Sequence, residues 1–422
     1  MYCIETLKNG LRVLVREMPL KDSLALGIWV KVGGRYESAS LSGIAHFTEH
    51  LLFKGTSKRS AREIKEAIEG RGGVFNAFTG EESTCYFVKI LKKHFSLALD
   101  VLSDMVRNSL FAGKDIERER TVILEEIKMY QDQPSQLVHE RLNELLWPDQ
   151  SLGRFIAGTV KSVSRIRRGD FLKFGAKYYH PKNMLVTVCG PLTAREILPE
   201  IEKAFEPARK GSESRFPGAD SAQTKPRFDF YGKDTEQMHV AMGFHGPSRL
   251  SDERYPFSLL NIILGGNMSS RLFEEVREKR GLAYEIRSSL CFFQDIGAFV
   301  VSEGVEKEKL PLSLQIIAKE LRKICEKPVR EEELRRAKDY YLGQLCFALE
   351  DTLDHMLWLG EKALYTGRVL ERDQIEAEIK KITPEDIRRV AAKYFRANNF
   401  SLAVVGKVGE KDQTRIRKDL SL

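Results

Sequence analysis

One repeat constrains this chain more than any other feature. Ile166, Asp170, Ala176, Lys177, Tyr178, Asn183, Val188 and Gly190 recur as Ile382, Asp386, Ala392, Lys393, Tyr394, Asn399, Val404 and Gly406. The offset is constant, 406 − 190 = 216 residues. Both copies run helix, Lys-Tyr-aromatic, Asn, strand, Gly. The acidic start of a helix at Asp115 has its counterpart at Glu331-Glu332-Glu333. A long-period repeat of this kind predicts two copies of one α+β domain. Between them, Pro207, Gly211, Ser212, Ser214, Pro217, Gly218, Ser221 and Pro226 punctuate a stretch with few aliphatics. That composition predicts a linker over 206–227, with one domain over 1–205 and a second over 228–422.

The local patterns fill in each copy. Leu11–Val15 after the Asn9-Gly10 turn and Leu24–Val32 before Gly33-Gly34 read as strands. Gly72–Thr79 reads as extended, and Thr84–Val88 and Met184–Val188 as further strands. Helical periodicity marks Ser60–Glu69, Phe95–Leu110, Asp115–Tyr130 and Phe171–Tyr179. Ser57 or Ser60 is the expected cap of the first of these.

The stretch Gly43-Ile44-Ala45-His46-Phe47-Thr48-Glu49-His50-Leu51-Leu52-Phe53 carries the chemistry. On a helix, residues four apart share a face, so His46 and His50 could hold one ion. Neutral imidazole is a good zinc ligand. Glu49, one step of roughly 100° from His50, lies beside such an ion and stays free for proton work. This H-x-x-E-H order mirrors H-E-x-x-H and is the inverzincin signature. The plain alternative is an amphipathic helix with two ordinary histidines, and Phe47, Leu51, Leu52 and Phe53 are expected to be core on either reading. A catalytic zinc takes three protein ligands. Glu119 and Glu126, seven apart on the helix after Asp115, share a face, and spacing leaves open which of them, if either, reaches the metal.

These residues, with Asn76-Ala77-Phe78-Thr79, Glu119-Arg120-Thr121-Val122, Arg271-Leu272-Phe273 and Val276-Arg277-Glu278-Lys279, Gly281-Leu282-Ala283-Tyr284 and the repeat, make the chain resemble a known family. It is similar to the pitrilysin/insulinase-type inverzincin metallopeptidases, nearest the mitochondrial processing peptidase branch and its bacterial relatives. The resemblance implies two homologous domains, each an antiparallel sheet covered by helices. It implies one zinc per chain held by His46, His50 and Glu126, with Glu49 as general base and Glu119 as a supporting acid. It implies that Asn76, Ala77 and Phe78 lie on an edge strand where an extended peptide is bound by β-augmentation, in a chamber between domains. Arg277 and Tyr284 match the family's Arg/Tyr pair, which binds substrate carbonyls and assists at the oxyanion. The family's chamber takes four such domains and this chain has two. A homodimer is therefore implied, or a heterodimer with a homologue lacking the motif, with Arg277 and Tyr284 contributed across the interface. The expected activity is a zinc endopeptidase acting on unfolded or extended peptides. The rival within the same fold is a catalytically silent scaffold or core subunit.

Composition narrows the other classes. Apolar residues at 42% support real cores. Lys plus Arg exceed Asp plus Glu by 68 − 60 = 8, but the charges are interleaved, as in Arg62-Glu63 and Lys65-Glu66, so a nucleic-acid partner is not expected. No apolar run approaches the roughly 20 residues of a membrane span, and the start lacks a signal peptide's apolar core. Six scattered cysteines without C-x-x-C fit a reducing compartment. A soluble cytoplasmic protein is the expectation.

Overall fold

The structure is a computed structural model that describes residues 2–207, 209, 211–367 and 369–420. Residues 208 and 210, inside the predicted linker, lie outside the described residues. The first repeat runs β1 (Tyr2–Thr6), β2 (Arg12–Glu17), β3 (Ser23–Val30), α1 (Ile44–Leu52), α2 (Ala61–Glu69), β4 (Val74–Thr79), β5 (Thr84–Leu91), α3 (Phe95–Asn108), α4 (Gly113–Asp132), α5 (Pro134–Leu146), α6 (Val160–Val163), α7 (Arg168–Tyr178), β6 (Met184–Gly190) and α8 (Ala194–Ala204). The second runs β7 (Arg227–Gly232), β8 (Met238–Gly246), α9 (Arg254–Leu264), β9 (Ala283–Phe292), β10 (Gly297–Val305), α10 (Leu310–Glu326), α11 (Glu331–Glu350), α12 (Thr352–Thr366), α13 (Arg372–Lys381), α14 (Pro384–Tyr394), β11 (Phe400–Gly406) and α15 (Glu410–Asp419).

The sheets are ordered β1-β2-β6-β3-β5-β4 and β7-β11-β8-β10-β9. Apart from β1 the two orders correspond strand for strand, as a repeat requires. Both are antiparallel except at one pair, β2 with β6 and β7 with β11. A parallel pair needs a long connection, and here most of a repeat separates its two strands. The α+β reading with helix-covered sheets therefore holds, and the single parallel pair in each sheet qualifies it.

Chain order and compactness part company. One compact unit holds Met1–Ile127, Phe155–Pro217 and Leu345–Glu371; the other holds Lys128–Arg154, Gly218–Gln344 and Arg372–Leu422. The chain leaves the first unit inside α4, returns at Phe155, leaves again after Pro217 and re-enters inside α11. Each unit thus keeps a helix from the other half of the sequence. In the first, Met356, Leu359 and Ala363 of α12 pack on Leu14, Ala25, Trp29 and Leu185. A Cβ at Gly360 would lie 2.2 Å from Trp29 Nε1, so α12 meets the sheet through bare backbone. In the second, Val138, Leu142 and Leu146 of α5 pack on Ala241, Ala298 and Val405. Strand β3 is buried along nearly its whole length because helices cover both its faces, and it accordingly reads as an unbroken apolar run. The segment 206–227 separates the repeats in sequence, while its described residues up to Pro217 belong with the first unit. There Arg35 lies 3.8 Å from the centre of the Phe216 ring, and Lys31 pairs with Glu213 at 2.8 Å.

One buried acid gives the second unit a pH dependence. Glu303 on β10 is 5% exposed and accepts from Ser313 Oγ at 2.5 Å. Burial pushes its carboxyl up to about 7, from an ordinary value of 4.5. The folded state therefore holds this proton over a range where the unfolded chain has lost it. Stability falls as pH rises through that window, and the loss is complete above about 7. Glu303→Gln has no such titration. Its stability relative to wild type is expected to grow between pH 4.5 and 7, by an amount on the order of a few kcal/mol, and then to level off. Melting temperatures of both proteins across that range check this; a constant difference would refute it.

Candidate metal centre

Helix α1 is positioned by its own apolar face and by its first turn. Ile44, Ala45, Phe47, Leu51 and Leu52 are buried in the core of the first unit. Its first residue follows Gly43, whose φ of 94° suits glycine. Gly43 supplies no capping side chain. Instead the Glu37 carboxylate accepts from the N–H groups of Gly43 and Ala45 at 2.8 and 2.7 Å. His46, Glu49 and His50 occupy the opposite, half-buried face.

Helix α4 runs past that face. Glu126 Oε1 lies 3.8 Å from His46 Nε2, and its Oε2 lies 3.8 Å from His50 Nε2. One donor atom from each of His46, His50 and Glu126 falls within 4.8 Å of the others, and among the described residues this is the one such group of three. Donors about 2.0–2.1 Å from a tetrahedral zinc stand roughly 3.4 Å apart, so an ion would draw these atoms together by up to about 1 Å or slightly more. The two imidazole nitrogens and one carboxylate are also a donor set that zinc prefers, though manganese and cobalt accept it.

The electrostatics agree with a cation between these groups. Burial pushes His46 down to about 4, with His50 adding to the effect, so the ring is neutral near pH 7. Burial raises Glu126, opposed by His50. Burial likewise raises Glu49, opposed by the hydrogen bond from Thr79 and by His50. A dication would invert this balance and favour both carboxylates. Glu49 itself accepts from Thr79 Oγ1 at 2.5 Å. Glu119, 4% exposed, places Oε2 3.3 Å from His50 Nδ1. The two acids of α4 thus differ: Glu126 faces both imidazoles, and Glu119 meets the far side of one.

Strand β4 is the free edge of the first sheet. Its side chains alternate. Phe75 packs tilted against Phe53 at the end of α1 (5.3 Å between centres), which puts Ala77 and Thr79 on the α1 side with it. Phe78 packs edge-on to Trp29 at 5.6 Å, on the α12 side, and Asn76 shares that side. Asn76 Oδ1 accepts from the N–H of Ala77 at 2.9 Å. In the second unit, Arg277 lies 5.1 Å from the centre of the Tyr284 ring and 4.6 Å from that of Phe273. Tyr284, at the start of edge strand β9, is 79% exposed.

Comparison with known proteins places the chain. Residues 12–160 match the family described as Insulinase (Peptidase family M16), and residues 165–341 match the Peptidase M16 inactive domain. An uncharacterized zinc protease of Streptomyces coelicolor is 37% identical over 418 residues, spanning 97% of this chain and 91% of its own. The chain belongs to peptidase family M16. A Bacillus subtilis member, also called an uncharacterized zinc protease, is 34% identical over 409 residues, 96% of this chain and 98% of its own. The fold recurs in a Helicobacter pylori protease (TM-score 0.90, 24% identity, 96% of this chain and 99% of that one). It recurs also in a chain of complex III2 from Candida albicans (TM-score 0.85, 17% identity, 100% of both).

The inactive-domain match begins at α7 of the first repeat and runs into α11 of the second. Within it α9, the counterpart of α1 in order, contains no histidine. Among the described residues no helix of this M16 chain is long and apolar enough to cross a membrane. Two residues at the site escaped the sequence reading. Thr79 stands in the Asn76-Ala77-Phe78-Thr79 stretch, where alternation pairs it with Ala77, but its bond to Glu49 joins a strand to a helix 30 residues away. Glu37 looks like a surface acid until the turn before α1 folds it back.

Proposed function

We propose that this M16 chain is a zinc-dependent endopeptidase acting on unfolded or extended peptides. The observation that carries the reading is the convergence of His46, His50 and Glu126 with Glu49 beside them. One zinc per chain, held by those three residues, would supply Lewis acidity and make water a nucleophile at neutral pH. The chain's own residues do the rest. Glu49, oriented by Thr79, takes the water's proton and returns it to the leaving amine. Glu119 holds His50 in register. The free edge of β4 at Asn76, Ala77 and Phe78 pairs main chain with main chain, giving affinity with little demand on side chains. Only a peptide that can become extended satisfies such an edge. Arg277 and Tyr284 are assigned to substrate carbonyls and to the oxyanion, acting within a homodimer.

The test is direct. Purified protein is expected to carry one equivalent of zinc and to cleave an unstructured polypeptide while sparing a tightly folded one. A chelator should abolish the cleavage and added zinc restore it. Protein without zinc, and inert on the unstructured chain after zinc is added, would instead favour the silent-scaffold reading of this fold.

A further inference from the structure

Beyond the triad of metal donors, α1 and α4 form a second rung. The helical turn continues past Leu52: the N–H groups of Phe53 and Lys54 donate to the carbonyls of His50 and Leu51 at 3.3 and 3.1 Å. Lys54 therefore projects from the same face as His46 and His50, in a spacing of four and four. Opposite stand Glu126 and Glu119, seven apart on α4. Eight residues of helix span about 12 Å and seven about 10.5 Å, so two antiparallel helices can match these positions rung for rung. His46 and His50 meet Glu126; His50 and Lys54 meet Glu119.

We propose that Lys54 is a positioning residue of the metal centre, anchoring Glu119 so that Glu119 fixes the His50 ring. Lys54 Nζ lies 2.7 Å from Glu119 Oε1, which leaves Oε2 to receive His50 Nδ1–H at 3.3 Å. With its proton held at Nδ1, the imidazole presents the lone pair of Nε2, the atom that faces Glu126. A carboxylate as buried as Glu119 needs a paired cation to stay in place, and Lys54, with its side chain 32% exposed, supplies one from the edge of the site. Without that anchor the carboxylate loses one of its two fixed directions, and the ring loses its orienting acceptor. The inference rests on the zinc reading above. The plain alternative is a lysine that only complements the C-terminal end of α1.

The experiment compares wild type, Lys54→Met and Lys54→Arg by zinc competition against a chromophoric chelator and by melting of the metal-free proteins. Loss of a partner behind a ligand typically costs 10–100-fold in metal affinity. Lys54→Met is expected to bind zinc about 10–100-fold more weakly, with Lys54→Arg returning most of the loss. Metal-free Lys54→Met should melt lower than wild type, because Glu119 loses its paired cation, while Lys54→Arg should stay near wild type. Cobalt substitution gives an independent readout, since a freed His50 ring alters the visible d–d bands of the Met variant. Wild-type affinity in Lys54→Met overturns the inference while leaving the zinc reading intact. Equal weakening in both variants also overturns it, since a cation at this position would then not be what holds Glu119. A wild-type protein that binds no zinc overturns the metal reading itself.

Discussion

Glu49→Gln is expected to keep its zinc and lose its turnover. The substitution preserves the shape of the side chain and an oxygen that can still accept from Thr79 Oγ1, now at 2.5 Å from the carboxylate. The proposed ligands His46, His50 and Glu126 are untouched. What disappears is a group able to take a proton from water and give it to an amine. Positioned acid–base groups contribute typically 10²–10⁴-fold, so kcat on an unstructured polypeptide should fall by about that factor. Metal content by elemental analysis should remain near one per chain. KM should change little, because the β4 edge is not altered. A variant with wild-type kcat would remove Glu49 from the role of base, and one that had lost its zinc would leave the question to a different substitution.

The parts of this site differ in how openly the sequence declares them, and the difference is physical. His46 and His50 share a face because helical pitch is a local property, so four residues of spacing suffice. Glu119 and Glu126 are equally local to each other, and for the same reason spacing cannot rank them. Only the approach of α4 to α1 separates an acid facing two imidazoles from one behind a single ring, and that is a tertiary fact. Thr79 and Glu37 act through bonds that join a strand or a turn to α1, which no periodicity encodes.

The fold shows the same division. Strands and helices followed from alternation and from turn residues, and the repeat offset correctly pairs α7–β6 with α14–β11. The exchange of α5 and α12 between compact units did not follow. Pro134 occupies the first turn of α5, where a fixed φ and a missing N–H cost nothing, so a residue that interrupts a helical pattern here begins a new helix. Nor does the pattern of α12 say which sheet its apolar side covers. The parallel pairs β2–β6 and β7–β11 are hidden likewise, since pairing strands most of a repeat apart is a choice made by topology.

Removal of a metal donor should have the opposite signature to removal of the base. Glu126→Ala is expected to lose both zinc and activity, while its metal-free fold stays at least as stable as wild type. Glu126 stands 3.8 Å from each imidazole, and without it only two protein donors remain, one short of a catalytic zinc site. The loss in affinity should exceed the 10–100-fold typical of residues that merely support a ligand. Dialysed protein should then hold well under one equivalent, and cleavage should drop to background. The stability half of the prediction comes from burial. The Glu126 carboxyl is raised above its ordinary value, so its charge sits uneasily in the metal-free protein. Truncating it removes that cost and deletes no core packing, since the buried residues of α4 are Ile116, Glu119, Ile123 and Ile127. Metal-free melting should be unchanged or slightly higher, and the upward shift expected when zinc is added to wild type should vanish. Glu126→Ala protein retaining equimolar zinc through dialysis would take Glu126 out of the ligand set.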